Sequence, residues 1–113
     1  MYLHILRPIL SAAVFFGCLP ELARPANATE FTAGVVMEKM TAEQRYSFVA
    51  GVVEGLAYAR FASDGKETAG MKCIYGWFYD DPKVTDLIYA AFKKFPDYTP
   101  GAVVAVLAKR KCG

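Results

Sequence analysis

Histidine is almost absent from this sequence, whose 113 residues contain only His4, close to the N-terminus. Everything downstream therefore lacks the most common metal ligand and the usual base beside a serine or cysteine nucleophile. No glycine-rich phosphate loop follows a strand pattern. Asp80 and Asp81 are adjacent, and one of them is needed as a helix cap, so they do not indicate an acid/base pair. These absences predict a protein that is not an enzyme and that needs no metal and no cofactor.

A strong excess of one charge is also lacking. The chain has 13 basic and 11 acidic residues, and its formal net charge is +2. Proteins that bind nucleic acid or anionic membrane surfaces usually carry a pronounced basic patch or stripe. The even balance therefore argues against nucleic acid and against a membrane surface as partners.

The apolar segment at residues 9–19 is too short to span a membrane, because a transmembrane helix needs ~20 apolar residues. Arg7 precedes this segment, and the small-x-small sequence A-N-A, which ends at Ala28, follows it. A basic start, a short apolar run and a small-x-small site are typical of a secretory signal peptide. We therefore predict cleavage after Ala28 and export to the periplasm.

The predicted domain organisation is a signal peptide at residues 1–28 and a single domain at residues 29–113 that has no membrane span. Two alternatives remain for the N-terminal segment. One is an uncleaved anchor, and the other is a lipoprotein attached through Cys18, which follows a glycine.

Cysteine is scarce as well. Of the three cysteines, Cys18 lies in the predicted signal peptide, which leaves Cys73 and Cys112 in the exported chain. An even pair in an oxidising compartment predicts a disulfide, whereas a metal site, the alternative, would need more ligands. The bridge would close a loop of about 40 residues and contribute about 4 kcal/mol in the chain-entropy model.

Helical patterns fill the remainder of the chain. Apolar spacing indicates a short helix at residues 31–40, and a capping box at residues 41–44 opens a second helix that runs to about residue 61. Aspartate or threonine followed by proline marks two further helix starts, at residues 81–82 and 99–100. The sequence thus predicts an all-α fold, a small bundle of about four helices closed by one disulfide.

The second helix is apolar around most of its circumference, which predicts a position at the centre of the fold. Its small residues fall four apart in one stripe, formed by Ser47, Gly51, Gly55 and Ala59. Such a stripe lets another backbone approach closely, so we predict tight packing against this side of the helix.

The stretch GMKCIYGWFYDDP, at residues 70–82, concentrates aromatic residues around Cys73. If it is extended, Tyr75, Trp77 and Tyr79 alternate onto one side. Anchoring one disulfide and starting one helix needs fewer rings than this stretch provides. We therefore predict a partner-binding surface with Trp77 and Tyr79 at its exposed centre, Tyr75 in support and Asp80 at the polar rim. The alternative is that all the rings are buried around the disulfide.

Two segments carry a family resemblance. The first is YSFVAGVVEGL at residues 46–56, which is similar to a helix of pattern G-Y-I-x-G-V-x-D-x-L, with Ser47 at the first glycine. The second is an order of short motifs: Cys-Ile at 73–74, Val-Thr at 84–85, Phe-Pro-Asp at 95–97, and a final helix closing on Cys112. Both resemble the Rap/Tai family, small helical periplasmic proteins that neutralise amidase toxins delivered by type VI secretion.

Some features depart from that family. Its members often have a second cysteine pair flanking the turn between the first two helices, where this chain has Met40 and Arg45. The insert at residues 75–81 also replaces a tight proline-containing link. A weaker resemblance is to the HdeA-type periplasmic acid chaperones, which are also small, helical and joined by one disulfide.

The function that the resemblance implies is that of an immunity-type protein, which binds and sterically blocks a partner protein such as a secreted amidase effector. Two alternatives remain: an HdeA-like acid-stress chaperone, which must loosen when carboxylates are protonated, and a structural envelope protein. A homodimer is also compatible with these residues.

Overall fold

The computed structural model describes residues 31–113, and within them the chain forms five α-helices and no strand. The helices are α1 (Ala33–Lys39), α2 (Ala42–Ser63), α3 (Ala69–Tyr79), α4 (Lys83–Lys94) and α5 (Pro100–Cys112). The predicted all-α fold is confirmed, with one helix more than expected. None of the described helices is both long and apolar enough to cross a membrane. The predicted signal peptide and its cleavage site lie outside the described residues.

The helix starts follow the chemistry of the residues before them. At α2, the Thr41 hydroxyl accepts from the Gln44 N–H at 3.2 Å, and the Gln44 side chain accepts from the Thr41 N–H at 3.0 Å, so the predicted capping box is present. The Asp81 carboxylate accepts from the Lys83 N–H at 3.0 Å and so satisfies a free donor at the start of α4. Thr99 precedes the proline that opens α5, but its side chain makes no capping hydrogen bond.

The core lies where the inner faces of the helices meet. Each helix buries residues three or four apart, as expected for amphipathic helices packed around one centre. The buried apolar residues are Ala33, Val36, Val49, Val53, Ala57, Ile74, Trp77, Phe78, Val84, Ile88, Phe92, Val103, Val104 and Ala108. The most extensive contact is between α2 and α3.

Two expectations about α2 are wrong. Only the stripe Val49, Val53 and Ala57 is fully buried, so α2 lies against the bundle rather than at its centre. The small-residue stripe is exposed along its whole length, and a Cβ added at Gly51 or Gly55 would meet no atom within 4 Å. Both expectations fail because the apolar residues of α2 differ in size. Its branched side chains point to the neighbouring helices, whereas its glycines face solvent.

The predicted disulfide is confirmed, since Cys73 of α3 is bonded to Cys112 at the end of α5, with the two Cα atoms 5.8 Å apart. A second link between the helices, made by Arg60, lies beside the disulfide. Arg60 of α2 donates to the Gly113 carbonyl at 2.6 Å and pairs with Asp64 at 2.7 Å. Gly70 provides the space for this arginine, because a Cβ there would lie 2.6 Å from the Arg60 Nε. The disulfide and Arg60 together hold α2, α3 and α5 at one end of the bundle.

Arg45 fastens the turn between α1 and α2, the region where Rap/Tai proteins often carry their second cysteine pair. Its guanidinium donates to the Met37 carbonyl at 2.8 Å and to the Met40 carbonyl at 3.2 Å. Carbonyls at a helix C-terminus lack intrahelical partners, so a cation there satisfies them and complements the helix dipole. The α1–α2 turn is therefore held by hydrogen bonds from an arginine.

Candidate functional site: a tyrosine surface on α2 and α3

The aromatic stretch is helical rather than extended, which changes the faces on which its rings lie. Helical residues rotate by about 100° each, so positions 74, 77 and 78 share one face, while positions 75 and 79 share another. Trp77 is 7% exposed and Phe78 is 3% exposed, and both belong to the core. The prediction that Trp77 forms an exposed centre is therefore wrong, and so is the alternative that every ring is buried.

Tyr75 and Tyr79 lie one turn apart on the outer side of α3. Tyr79 keeps 46% of its surface exposed, and Tyr75 is half-buried. Their rings are stacked with centroids 6.2 Å apart. The helix thus divides the four rings into two that stabilise the fold and two that face outward.

Glu54 of α2 holds both outward-facing tyrosines. The Tyr75 hydroxyl donates to Glu54 Oε2 at 2.9 Å, and the Tyr79 hydroxyl donates to Glu54 Oε1 at 2.7 Å. Each carboxylate oxygen therefore has its own phenol. We use "tyrosine surface" for Tyr75, Tyr79 and Glu54, with Asp80 at its edge.

Glu54 is the residue that the sequence-based prediction missed. It is the only acidic residue of α2 beyond the first turn, and it interrupts a run of apolar and small residues. A single carboxylate on an otherwise apolar helix could have indicated a functional residue. Its partners, however, lie 21 and 25 positions further along the chain, and no spacing rule pairs them.

The Glu54 carboxylate also sets the protonation of the two phenols. Its hydrogen bond, followed by partial burial and its negative charge, raises the pKa of Tyr79 to about 12. The separate hydrogen bond from the Tyr75 hydroxyl to Glu54 raises the pKa of Tyr75. Both tyrosines therefore stay protonated, and able to donate, further into the alkaline range than an ordinary tyrosine.

Aromatic contacts connect the tyrosine surface to the core. The Tyr79 ring meets the buried Phe78 edge-on with centroids 4.9 Å apart. Phe78 in turn stacks on Tyr46 of α2 at 5.8 Å. Tyr79 is thus held at its ring by Phe78 and at its hydroxyl by Glu54, which leaves it little rotational freedom to lose on binding.

Asp80 lies beside the tyrosine surface and is exposed. It ends α3, with its N–H donating to the Gly76 carbonyl at 3.0 Å. Its carboxylate has no hydrogen bond to another described residue, and its role at a polar rim stays a prediction.

The arrangement has the chemistry of a binding surface. Tyrosine combines a large apolar ring with a polar tip, and it is enriched among residues that dominate protein interfaces. Within residues 31–113, no cluster of three metal-ligating side chains is present. Comparison of the chain with protein-family models, with curated proteins and with solved structures found no match.

Proposed function

We propose that the protein is an exported, non-enzymatic binding module that blocks a partner protein in the periplasm through the tyrosine surface. One observation carries the proposal. Two outward-facing tyrosines are fixed by a single carboxylate, although the core is already complete with Trp77 and Phe78. These hydrogen bonds join α2 to α3 and also fix the two exposed rings in advance, which lowers the entropy lost when a partner binds them.

An immunity-type role fits this surface, as the Rap/Tai resemblance implies, with a secreted amidase effector as the partner to be blocked. Steric blocking needs only affinity and placement over the partner's active site, and no reacting group. A disulfide-bonded helical domain supplies a rigid support for this.

An HdeA-like chaperone role finds less support. Such a protein loosens in acid because native carboxylates with lowered pKa values become protonated. In the described part of the chain, Arg60–Asp64 is the only ion pair, and no charged residue is buried. The core and the disulfide do not depend on ionised carboxylates, so protonation has few interactions to break.

The test is site-specific photocross-linking in the organism that makes the protein. A photoreactive phenylalanine analogue replaces Tyr79 in one strain and Tyr58 in a matched control. Tyr58 is 68% exposed, and its hydroxyl has no hydrogen bond to another described residue. We expect a discrete adduct of one partner protein from position 79, purified from the periplasm and identified by mass spectrometry.

Three outcomes would contradict the proposal. The first is the absence of any adduct from position 79. The second is an equal spread of many adducts from both positions. The third is an adduct pattern that broadens to many unfolded proteins only in acid, which would favour the chaperone role.

A further inference from the structure

The polar tips of the tyrosine surface accept hydrogen bonds but have none left to donate. An ordinary exposed tyrosine offers a partner its hydroxyl proton as well as its lone pairs. Here the hydroxyl protons of Tyr75 and Tyr79 are both directed at Glu54. The two phenol oxygens and the Glu54 oxygens keep free lone pairs, because a carboxylate has about four lone-pair sites. A partner that binds these tips must therefore supply the donors.

Asp80 adds a second carboxylate beside the rings. A Cβ added at Gly76 would lie 3.3 Å from Asp80 Oδ2, so this carboxylate folds back along α3 over the glycine. Gly76 directly follows Tyr75 and lies three positions before Tyr79, within one turn of both rings. Glu54 therefore borders the rings from α2, and Asp80 borders them from the end of α3.

Both carboxylates lack a cationic partner within the described chain. The pair Arg60–Asp64 is the only ion pair among residues 31–113. Lys72 and Lys83 lie near Asp80 in the sequence, and Lys111 lines a cleft that Gly76 also lines. All three lysines are exposed, and none forms an ion pair with Glu54 or Asp80. The two negative charges thus remain unpaired at the surface.

The outward rings also lack the cations that two other aromatic residues carry. Arg45 lies over the Tyr89 ring at 5.2 Å, and Lys94 lies over the Phe95 ring at 5.6 Å. Within the described residues, Tyr75 and Tyr79 have no such contact. A phenol that donates to a carboxylate gains electron density in its ring, which strengthens the attraction of the ring for a cation. The tyrosine surface therefore combines electron-rich rings, unpaired carboxylates and acceptors without donors.

We propose that the tyrosine surface binds an arginine side chain of the partner protein, with the guanidinium on the exposed ring of Tyr79 and its N–H groups directed to the acceptors beside that ring. The inference rests on the proposed function and adds the chemistry that the partner presents. A guanidinium is planar, carries several N–H donors and has no acceptor. It is also less strongly hydrated than an ammonium group, so it stacks on an aromatic ring more readily than lysine does.

Two other kinds of ligand match this surface less completely. A sugar ring also stacks on tyrosine, but it is neutral and would leave both carboxylates without a counter-charge. A quaternary ammonium group, as in a phospholipid headgroup, carries the charge but has no N–H donor for the exposed acceptors.

The experiment is an NMR titration of the oxidised, exported protein with carbon-13 in its tyrosine rings. The probes are blocked glycine pentapeptides with a central arginine, lysine or citrulline, the last being a neutral analogue of arginine. We expect the arginine peptide to shift the ring signals of Tyr75 and Tyr79 saturably, with at least tenfold higher affinity than the citrulline peptide and higher affinity than the lysine peptide. Tyr98, an exposed ring between α4 and α5, should show no shift.

A charge-removing variant makes the test specific. The Asp80 side chain makes no hydrogen bond within the described chain, so Asp80→Asn removes its charge without removing such a bond from the fold. It should weaken binding of the arginine peptide by about threefold or more. Asp97→Asn, the same change at an exposed aspartate between α4 and α5, should leave the affinity unchanged. Circular dichroism of each variant confirms that the fold is intact.

Several results would overturn the inference. Arginine and citrulline peptides that shift the rings equally, or that shift neither ring, would exclude a site for arginine. Tighter binding of N-acetylglucosamine or of phosphocholine than of the arginine peptide would assign the surface to a sugar or to a lipid headgroup.

The partner itself separates this inference from the proposed function. If a protein cross-links at position 79 but keeps its affinity when each arginine of its cross-linked region is replaced by glutamine, the inference fails and the proposed function stands. If the arginine peptide binds but no protein cross-links at position 79, the preference for arginine holds and the proposed function fails.

Discussion

Replacing Trp77 with alanine tests the division of the aromatic stretch into buried and outward-facing rings. Trp77 is 7% exposed. A buried tryptophan removes about 150–250 Å² from water, and at about 25 cal/mol per Å² this is worth about 4–6 kcal/mol. Because the unfolded chain is already partly compact, the area-based figure is an upper bound. We expect Trp77→Ala to lower the free energy of unfolding by about 3–5 kcal/mol.

The matched control is Tyr79→Ala, two positions along the same helix. Tyr79 is 46% exposed, and its ring contacts those of Phe78 and Tyr75. About half of its surface is buried, which by the same area-based reasoning makes the expected cost of Tyr79→Ala about 2 kcal/mol. The effect of Trp77→Ala on stability should therefore be about twice that of Tyr79→Ala.

Urea unfolding followed by far-UV circular dichroism measures both variants, since Trp77→Ala removes the only tryptophan. With an m-value of ~1.5 kcal/mol/M, the midpoint for Trp77→Ala should fall by about 2–3 M. In the wild type, the Trp77 fluorescence should be blue-shifted and protected from quenchers. A cost below about 1 kcal/mol for Trp77→Ala, or an equal cost for both variants, would refute the assignment of these rings.

Further predictions follow from the disulfide, the glycines and the carboxylate. Cys73→Ser should lower the free energy of unfolding by about 2–5 kcal/mol, and an unchanged melting temperature would contradict this. Gly51→Ala should raise the stability by about 0.5–1 kcal/mol, because the site is open, whereas Gly70→Ala should lower it, because its Cβ would clash with an arginine; calorimetry distinguishes the two signs. Glu54→Ala removes both the hydrogen bond and the charge, so the pKa of Tyr79, followed by the NMR shift of its ring carbon, should fall from about 12 towards 10. An unchanged Tyr79 pKa would exclude Glu54 as its cause.

Those parts of the fold that rest on local chemistry could be predicted from the sequence. The Thr41–Gln44 capping box depends on residues three apart, and it is present as predicted. The pairing of Cys73 with Cys112 followed from having only two cysteines downstream of the predicted signal peptide, and it is confirmed.

The helix α3 could not be read in the same way. Its N-cap residue, Thr68, makes no side-chain hydrogen bond, and glycine and aromatic residues lower its helix propensity. Tertiary packing determines that this segment is helical, because Ile74, Trp77 and Phe78 reach the core together only in a helix. The faces of α2 were misassigned for a related reason, since the pattern of apolar residues does not say which side a neighbouring helix will cover.

The tyrosine surface was predicted in part. Tyr75, Tyr79 and Asp80 were identified from the surplus of rings, and the structure places both tyrosines on one outward side of α3 with Asp80 beside them. Glu54, which determines their geometry, comes from another helix and depends on how α2 packs against α3. Partner binding by these residues stays a prediction.

The most direct measurement is the affinity of the partner that cross-links at position 79, compared between wild type, Tyr79→Ala and Tyr58→Ala by titration calorimetry. A central, anchored tyrosine should contribute about 2 kcal/mol or more, so we expect Tyr79→Ala to weaken binding by about 30-fold or more. Tyr58→Ala removes a more exposed ring that Glu54 does not hold, and it should change the affinity by less than about threefold. Equal affinity of wild type and Tyr79→Ala would contradict a binding role for the tyrosine surface.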